Sequence, residues 1–528
     1  MNFFFKALLD TYFSIKFAKH NKFHFKTKSF FKKNNDIILT EMVGLQSSQI
    51  PISYLLNALS KKFNCKLMAY NFMLEKNFFK KIFWNVLRFF KLKDFLIYSS
   101  FGVDNFFYIK VNKNQKKYAN KIYEKVLTNI KDKEDVLRIS IDNITIGDLI
   151  YDHYLMKYKL PTIDINSLNF KNFLLISIQV YIFWKDFFKN YNVKALNVSH
   201  CVYLVAIPLR IAVHNKIPVY QTKYQSLYKL DCNNIYEHEE FKYFSKTFSL
   251  MSKKDKQKGM RLGKQLLIKK LSGNVIVDSS ESTKSAYLKE VSKERIIKDT
   301  NKIKVLILTH CFFDSPHSYG ANIFVDFYEW IDFLGKMSER TDYDWYIKLH
   351  PDYIDGTKKI IENFLHKYKK IHYIPSNISH HQIIKEGINF ALTVYGTVGA
   401  EYAYKKIPVI NASCNNPHIC YKFNIHPKDL KEYKSVILNL EKIKIKIDVK
   451  KVYEFFFMRN IYYWHDWLVL GYREFINKIG GFKNQFSYLT YKQWLKNFNA
   501  QNHRKIIATF NNFIDSNSYV LEKKHISK

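Results

Sequence analysis

The chain has 528 residues, enough for two or three domains, and 47% of them are hydrophobic and 17% aromatic, which excludes a globally disordered polymer. Only 15 glycines and 10 prolines are present, so collagen-like, linker-like and mucin-like sequence is excluded as well. Lys+Arg 84 against Asp+Glu 46 gives a formal charge of +38, yet only nine of the basic residues are arginine and the lysines run the length of the chain. Nucleic-acid readers gather arginine forks into a stripe, so nucleic acid is a poor fit, and nucleotide diphosphates or an anionic membrane face are better ones.

Residues 1–35 are basic and aromatic and are read as an extension with two or three amphipathic turns. Lys6 and Asp10 interrupt its apolar run and no small-residue cleavage site follows, so no export signal is expected. Regular alternation begins at DIILTEM (36–42), a buried strand, followed by a helix from Pro51 and a second strand, KLMAYN (66–71). The pattern returns at VKALNVSH (193–200), with a helix and the short strand IPVYQ (217–221) after it. Strands alternating with helices imply a parallel α/β sheet, here a first domain over 36–250. The apolar run 173–184 stops at Lys185 and is too short to span a bilayer.

Residues 251–302 are lysine-laden and polar and read as an interdomain connection. A clearer alternation follows: strands at KVLILTH (304–310), DWYIKLHP (344–351), KIHYIP (370–375), INFALTVYG (388–396) and IPVINAS (407–413), with helical segments between them. This predicts a second Rossmann-like domain over 303–445. Residues 446–528 read as a helical, aromatic-rich extension that can cross back over the first domain. The six cysteines show no CxxC pair and fit free thiols in a reducing compartment. The cytoplasm, including the inner face of its membrane, is the expected location.

Ligands of open parallel sheets bind beyond the carboxyl ends of the strands. In the second domain those ends carry His310, with Asp314, Ser315 and His317 in the loop beyond; Lys348 and His350; Gly396, Thr397 and Gly399; and Asn416. The Gly396-Thr-Val-Gly399 turn runs straight into a helix. Its glycines admit close backbone approach, its N–H groups suit a phosphate, and Thr397 and Glu401 offer further polar contacts to phosphate and ribose. His350, fixed by Pro351, can donate to a departing phosphate, and Lys348 has the same parity. In the first domain Glu41 and His200 follow strands, and Asp148 and Asp152 lie in IGDLIYD. These four are the candidate bases for deprotonating an acceptor hydroxyl, with Glu41 and His200 ahead; Asp148 reads equally as a helix cap. Asp342-Tyr-Asp344 precedes its strand and reads as a solvated loop. No Cys/His spacing fits zinc, so neither a metal nor a cofactor is expected.

KLHP (348–351), VYGTVGAEYAYKKIPVINA (394–412) and NNPHICYKF (415–423), with ITIGDLIYDHYLMKY (144–158) and NVSHCVYLVAIPLRIAVHNKIPVYQ (197–221) in the first domain, resemble bacterial surface- and capsule-polysaccharide glycosyltransferases and the CDP-glycerol transferase-like group. The resemblance covers about 140–425. It implies a GT-B arrangement, two Rossmann-like domains facing a cleft, with donor phosphates held by His350 and Thr397. It also implies a nucleotide-activated sugar as donor and a glycan or lipid-linked glycan as acceptor. A CDP-polyol phosphotransferase on the same scaffold stays open, as does a sugar-nucleotide epimerase. From another class, a non-catalytic basic protein binding nucleic acid or anionic membrane stays open too.

Overall fold

A computed structural model describes residues 3–25, 36–72, 78–223, 225–274, 285–287, 292–320, 322–350 and 356–527. Pro351 and part of the connection over 275–291 lie outside the described residues, as do residues 26–35 of the N-terminal extension.

The first domain contains β1 (Asp36–Glu41), β2 (Lys66–Asn71), β3 (Val103–Tyr108), a short hairpin of β4 (Ser140–Ile141) and β5 (Ile144–Thr145), then β6 (Asn192–Val198), β7 (Val219–Lys223) and β8 (Ser226–Leu230). The main sheet runs β3-β2-β1-β6-β7-β8, parallel throughout except for the β7–β8 pair. Its central strand shows why the sequence reads as an apolar run. Ile37 and Leu39 enter the core formed with helix Leu168–Asn190, and Ile38 enters the opposite core under helix Gln46–Phe63. A strand covered on both faces has no polar side to alternate with.

The second domain contains β9 (Lys304–Leu308), β10 (Asp344–Lys348), β11 (Ile371–Ile374), β12 (Phe390–Thr393) and β13 (Val409–Asn411), ordered β11-β10-β9-β12-β13 and wholly parallel. Val305 and Ile307 face one core, Leu306 and Leu308 the other. Two Rossmann-like sheets with helices on both faces are therefore present, as the alternation of strands and helices implies.

The C-terminal extension knits the domains together. Helix Val449–Phe457 packs on helix Lys253–Leu271, where a Cβ on Gly263 would lie 2.1 Å from the Tyr453 carbonyl oxygen, so only glycine permits that crossing. Beyond it the chain returns to the first domain: Trp467, Tyr491, Trp494, Phe510 and Leu521 join the core beneath helix Gln46–Phe63. The final segment pairs with β8 through Leu521 N–H to Leu227 O (2.9 Å) and Lys229 N–H to Tyr519 O (2.8 Å), covering an edge strand that would otherwise stand open. The N-terminal extension forms a 22-residue helix, Phe3–His24, longer than the two or three turns expected, because Phe17 and Ala18 bury against the C-terminal helices. No helix among the described residues is long and apolar enough to cross a membrane.

Candidate functional site

At the carboxyl edge of the first sheet the apolar run of β1 ends in Thr40 and Glu41. The Glu41 carboxylate reaches across to the turn after the neighbouring β6. Its Oε2 accepts the Ser199 backbone N–H at 2.8 Å and the Ser199 hydroxyl at 2.6 Å. Burial pushes the Glu41 carboxyl up, against the opposing pull of those hydrogen bonds and of His200. His200 is exposed, and its Nδ1 lies 2.8 Å from the Ser199 carbonyl oxygen. A carbonyl only accepts, so Nδ1 carries a proton and donates to it. Two residues far apart in sequence, Glu41 and His200, thus meet around Ser199.

The seam between domains is built on helix Gly147–Tyr158. Gly147 is required there, because a Cβ would lie 2.1 Å from the Val136 carbonyl oxygen. Asp148 is not the cap: Ile146 precedes the helix, and the Asp148 carboxylate takes Arg210 and the Tyr236 hydroxyl (2.9 Å) as partners. Burial alone would raise its carboxyl, but the charges of Arg210 and His317 and the hydrogen bonds from Tyr236 and Arg210 together outweigh that, and the net movement is downward. The Asp148 carboxylate is thus engaged by Arg210 and Tyr236 inside the first domain. One turn on, Asp152 crosses to the second domain. Its carboxylate accepts the Nδ1–H of His317 at 2.6 Å and that residue's backbone N–H at 3.2 Å. Burial alone would lower the His317 imidazole, yet the Asp152 charge and hydrogen bond, with Asp148 and Asp326 nearby, move it upward. Asp152 is therefore a tie between domains. Tyr151 donates to Asp326 (2.6 Å), Tyr203 donates to Asp314 (2.7 Å), and Lys133 pairs with Glu329 across the same seam.

Tyr203 follows β6 and Asp314 follows β9, so the carboxyl edges of the two sheets face one another. On the second edge, His310 lies flat against Phe327, with ring centroids 4.7 Å apart. Burial, with His350 nearby, lowers its imidazole to about 3. The neutral ring's Nε2 lies 3.0 Å from the Thr393 hydroxyl and accepts the backbone N–H groups of Val394 (3.3 Å) and Tyr395 (3.4 Å). Thr393 Oγ1 in turn accepts the N–H of Gly396 at 3.2 Å. His310 thus shapes the turn that delivers Gly396 and Thr397, both partly exposed, to the cleft side of a seven-residue helix, Val398–Tyr404.

The other expected donor-side residues are committed elsewhere. Lys348 is buried and donates to the carbonyls of Pro375 (3.0 Å) and Ser376 (2.8 Å), and burial lowers its ammonium to about 8. It ties β10 to the end of β11 and does not share the exposure of His350. Glu401 is buried and paired with Lys270 of the connecting helix, so a ribose contact would first have to displace that pair. Asn416 is fully buried, holding the Ser413 carbonyl and the His418 backbone N–H. Gly399 is glycine for packing: a Cβ would lie 2.5 Å from Asn424 Nδ2 and 2.8 Å from His418 Cε1. His350 remains exposed at the end of β10. Asp342, of the discounted acidic pair, lies exposed and paired with Lys302. Among the described residues no three His, Cys, Asp or Glu side chains gather as a metal site.

Sequence reasoning placed His317 in the loop after β9 without a partner and passed over Ser199 and Tyr203. Their partners lie 165, 158 and 111 residues away, and no local pattern signals such pairings.

No protein-family model and no curated protein matches the chain. Solved structures that align with it include the UDP-GlcNAc 2-epimerase of Neisseria meningitidis bound to UDP-GlcNAc, at 10% identity over 88% of this chain and 100% of that chain, TM-score 0.21. Another is the UDP-GlcNAc 2-epimerase of Methanocaldococcus jannaschii, at 12% identity over 79% and 97%, TM-score 0.23. A third is the calicheamicin glycosyltransferase CalG4, at 9% identity over 81% and 95%, TM-score 0.22. Likeness this distant carries no argument about the reaction.

Proposed function

We propose that the protein is a nucleotide-sugar glycosyltransferase of the GT-B type, acting on a bacterial surface-glycan acceptor at the cytoplasmic side of the membrane. The observation that carries this reading is the facing of two parallel-sheet carboxyl edges across one seam, bridged by Tyr203–Asp314 and Asp152–His317. Such edges are where α/β sheets hold their ligands. One of these edges presents a carboxylate whose proton affinity burial has raised, the other an imidazole and a backbone turn suited to phosphate.

In this reading Glu41 takes the proton of the acceptor hydroxyl as that oxygen bonds to the anomeric carbon and the bond to the nucleotide diphosphate breaks. A base is most effective when its pKa approaches the working pH, and burial moves Glu41 that way. Ser199 orients the carboxylate, and His200, exposed beside it, contacts the acceptor. His350 and the backbone at Gly396–Thr397 receive the departing diphosphate through charge-assisted hydrogen bonds. Lys348, Glu401, Asn416 and His310 hold the donor side in shape.

The test is incubation of the protein with UDP-, GDP-, CMP- and CDP-activated donors, with and without glycan acceptors, and mass spectrometry of the products. A glycoside formed only when acceptor is present supports the proposal. Transfer of a polyol phosphate from a CDP donor, or donor isomerised without acceptor, replaces it with the corresponding alternative. A nucleotide that raises the melting temperature identifies the base recognised.

A further inference from the structure

Residues 76–93, KNFFKKIFWNVLRFFKLK, contain six basic residues and no acidic one. Helix Phe78–Phe89 within this stretch is fastened to the first domain by Trp84, 7% exposed, whose ring meets Phe95 at 5.1 Å and Tyr108 at 5.0 Å. Its other side is turned to water: Phe83 is 54% exposed, Phe89 80% and Phe90 64%, with Ile82, Val86 and Leu92 exposed as well. Positions 82, 83, 86, 89 and 90 recur at three- and four-residue intervals, so they form one continuous apolar face. Soluble surfaces rarely expose large apolar side chains so contiguously without a binding role.

The fringe of this face is cationic. Lys91 and Lys93 are exposed just beyond the helix. The Lys93 ammonium sits 5.4 Å over the Phe83 ring, and the Arg88 guanidinium 5.2 Å over Trp84. The stretch follows β2, so it departs from the same sheet edge that carries Glu41.

We propose that this face docks the protein on an anionic lipid bilayer, aromatic rings entering the headgroup–acyl boundary and the lysines meeting lipid phosphates. An apolar helix face bordered by lysine and arginine, with no carboxylate between, has the charge and polarity of an interfacial helix. A second copy of the chain is the poorer occupant, because pairing would press two like-charged fringes together between molecules of +38 each. The inference stands on the surface alone and holds whichever group the cleft transfers.

The full chain is sedimented with vesicles of phosphatidylcholine, with or without phosphatidylglycerol. Because the whole molecule is basic, the deciding variant is F83S/F89S/F90S, which leaves every charge in place. Wild type binds the anionic vesicles and not the zwitterionic ones. The triple variant partitions about tenfold more weakly, and L168S/L250S, at positions 72% and 78% exposed elsewhere, binds as wild type. Undiminished binding by the triple variant overturns the proposal in favour of diffuse lysine charge. A dimer seen by light scattering and abolished by the triple variant, with no vesicle binding by wild type, overturns it in favour of self-association. Should the triple variant melt early, F89S at the most exposed ring repeats the comparison.

Discussion

The two sheet edges that face each other treat their glutamates in opposite ways. Glu41, on the first, is buried beside neutral donors, the hydroxyl and backbone N–H of Ser199, and forms no ion pair among the described residues. Glu401, on the second, is equally buried but is held by the Lys270 ammonium. Burial without a paired cation raises a carboxyl's affinity for protons, whereas an ion pair stabilises the charged form and fixes the side chain in the fold. The same residue type thus has neutral hydrogen-bond donors as partners in one case and an ammonium in the other, and the proposed function assigns the proton transfer to the first.

The widest separation of the two roles comes from Glu41→Gln. It keeps the shape and the Ser199 contact but removes the base, so turnover should fall about 10²–10⁴-fold with little change in melting temperature. In the wild type the acidic limb of the turnover–pH profile should lie above the ordinary carboxylate value of 4.5, because the base form appears only as pH rises through the raised value. A limb at or below the ordinary value, or full activity in the Gln variant, would move the chemistry off this edge.

Asp152→Ala addresses the seam between the edges. It strips a buried, raised imidazole of its partner, and removing one member of a buried pair costs about 3–5 kcal/mol, read by chemical denaturation. The sign of the pH dependence follows from His317, whose native value is above its ordinary 6.5. Its contribution is fully present below 6.5 and is lost as pH rises through the raised native value. The stability gap between wild type and variant should therefore narrow towards alkaline pH. A gap that stays constant would show that His317 is neutral at the seam.

These contrasts also mark where the sequence is informative. β1, β2, β9 and the β12–helix turn are legible because strands covered on both faces must be apolar and because glycine and threonine punctuate their ends. The edge location of Glu41, His200, His350 and Thr397 follows from those boundaries alone. What a side chain does at the edge is decided by distant partners. Lys348 and His350 are two residues apart at one strand end, yet one is spent on the Pro375 and Ser376 carbonyls and the other is exposed. Glu401 meets a lysine from the connecting helix, 131 positions earlier in the chain, and Gly399 answers to His418 and Asn424 across the next loop. Periodicity predicts which edge a residue reaches; it carries no record of what the opposite element brings there.

Glu401→Gln gives the smallest effect and closes the contrast. The amide can still accept a hydrogen bond from Lys270 but no longer balances its charge, and Lys270 is partly exposed, so water can take up some of the ammonium's demand. The expected loss is about 1–3 kcal/mol of stability, with turnover per folded molecule unchanged and the KM for donor moved only slightly. A Gln variant that melts as wild type while its donor KM rises steeply would place Glu401 on the ribose after all, and the Lys270 pair would then be a resting contact that substrate displaces. Measured beside Glu41→Gln at one pH and donor concentration, the two variants should differ in kind: one loses rate and keeps its fold, the other loses stability and keeps its rate.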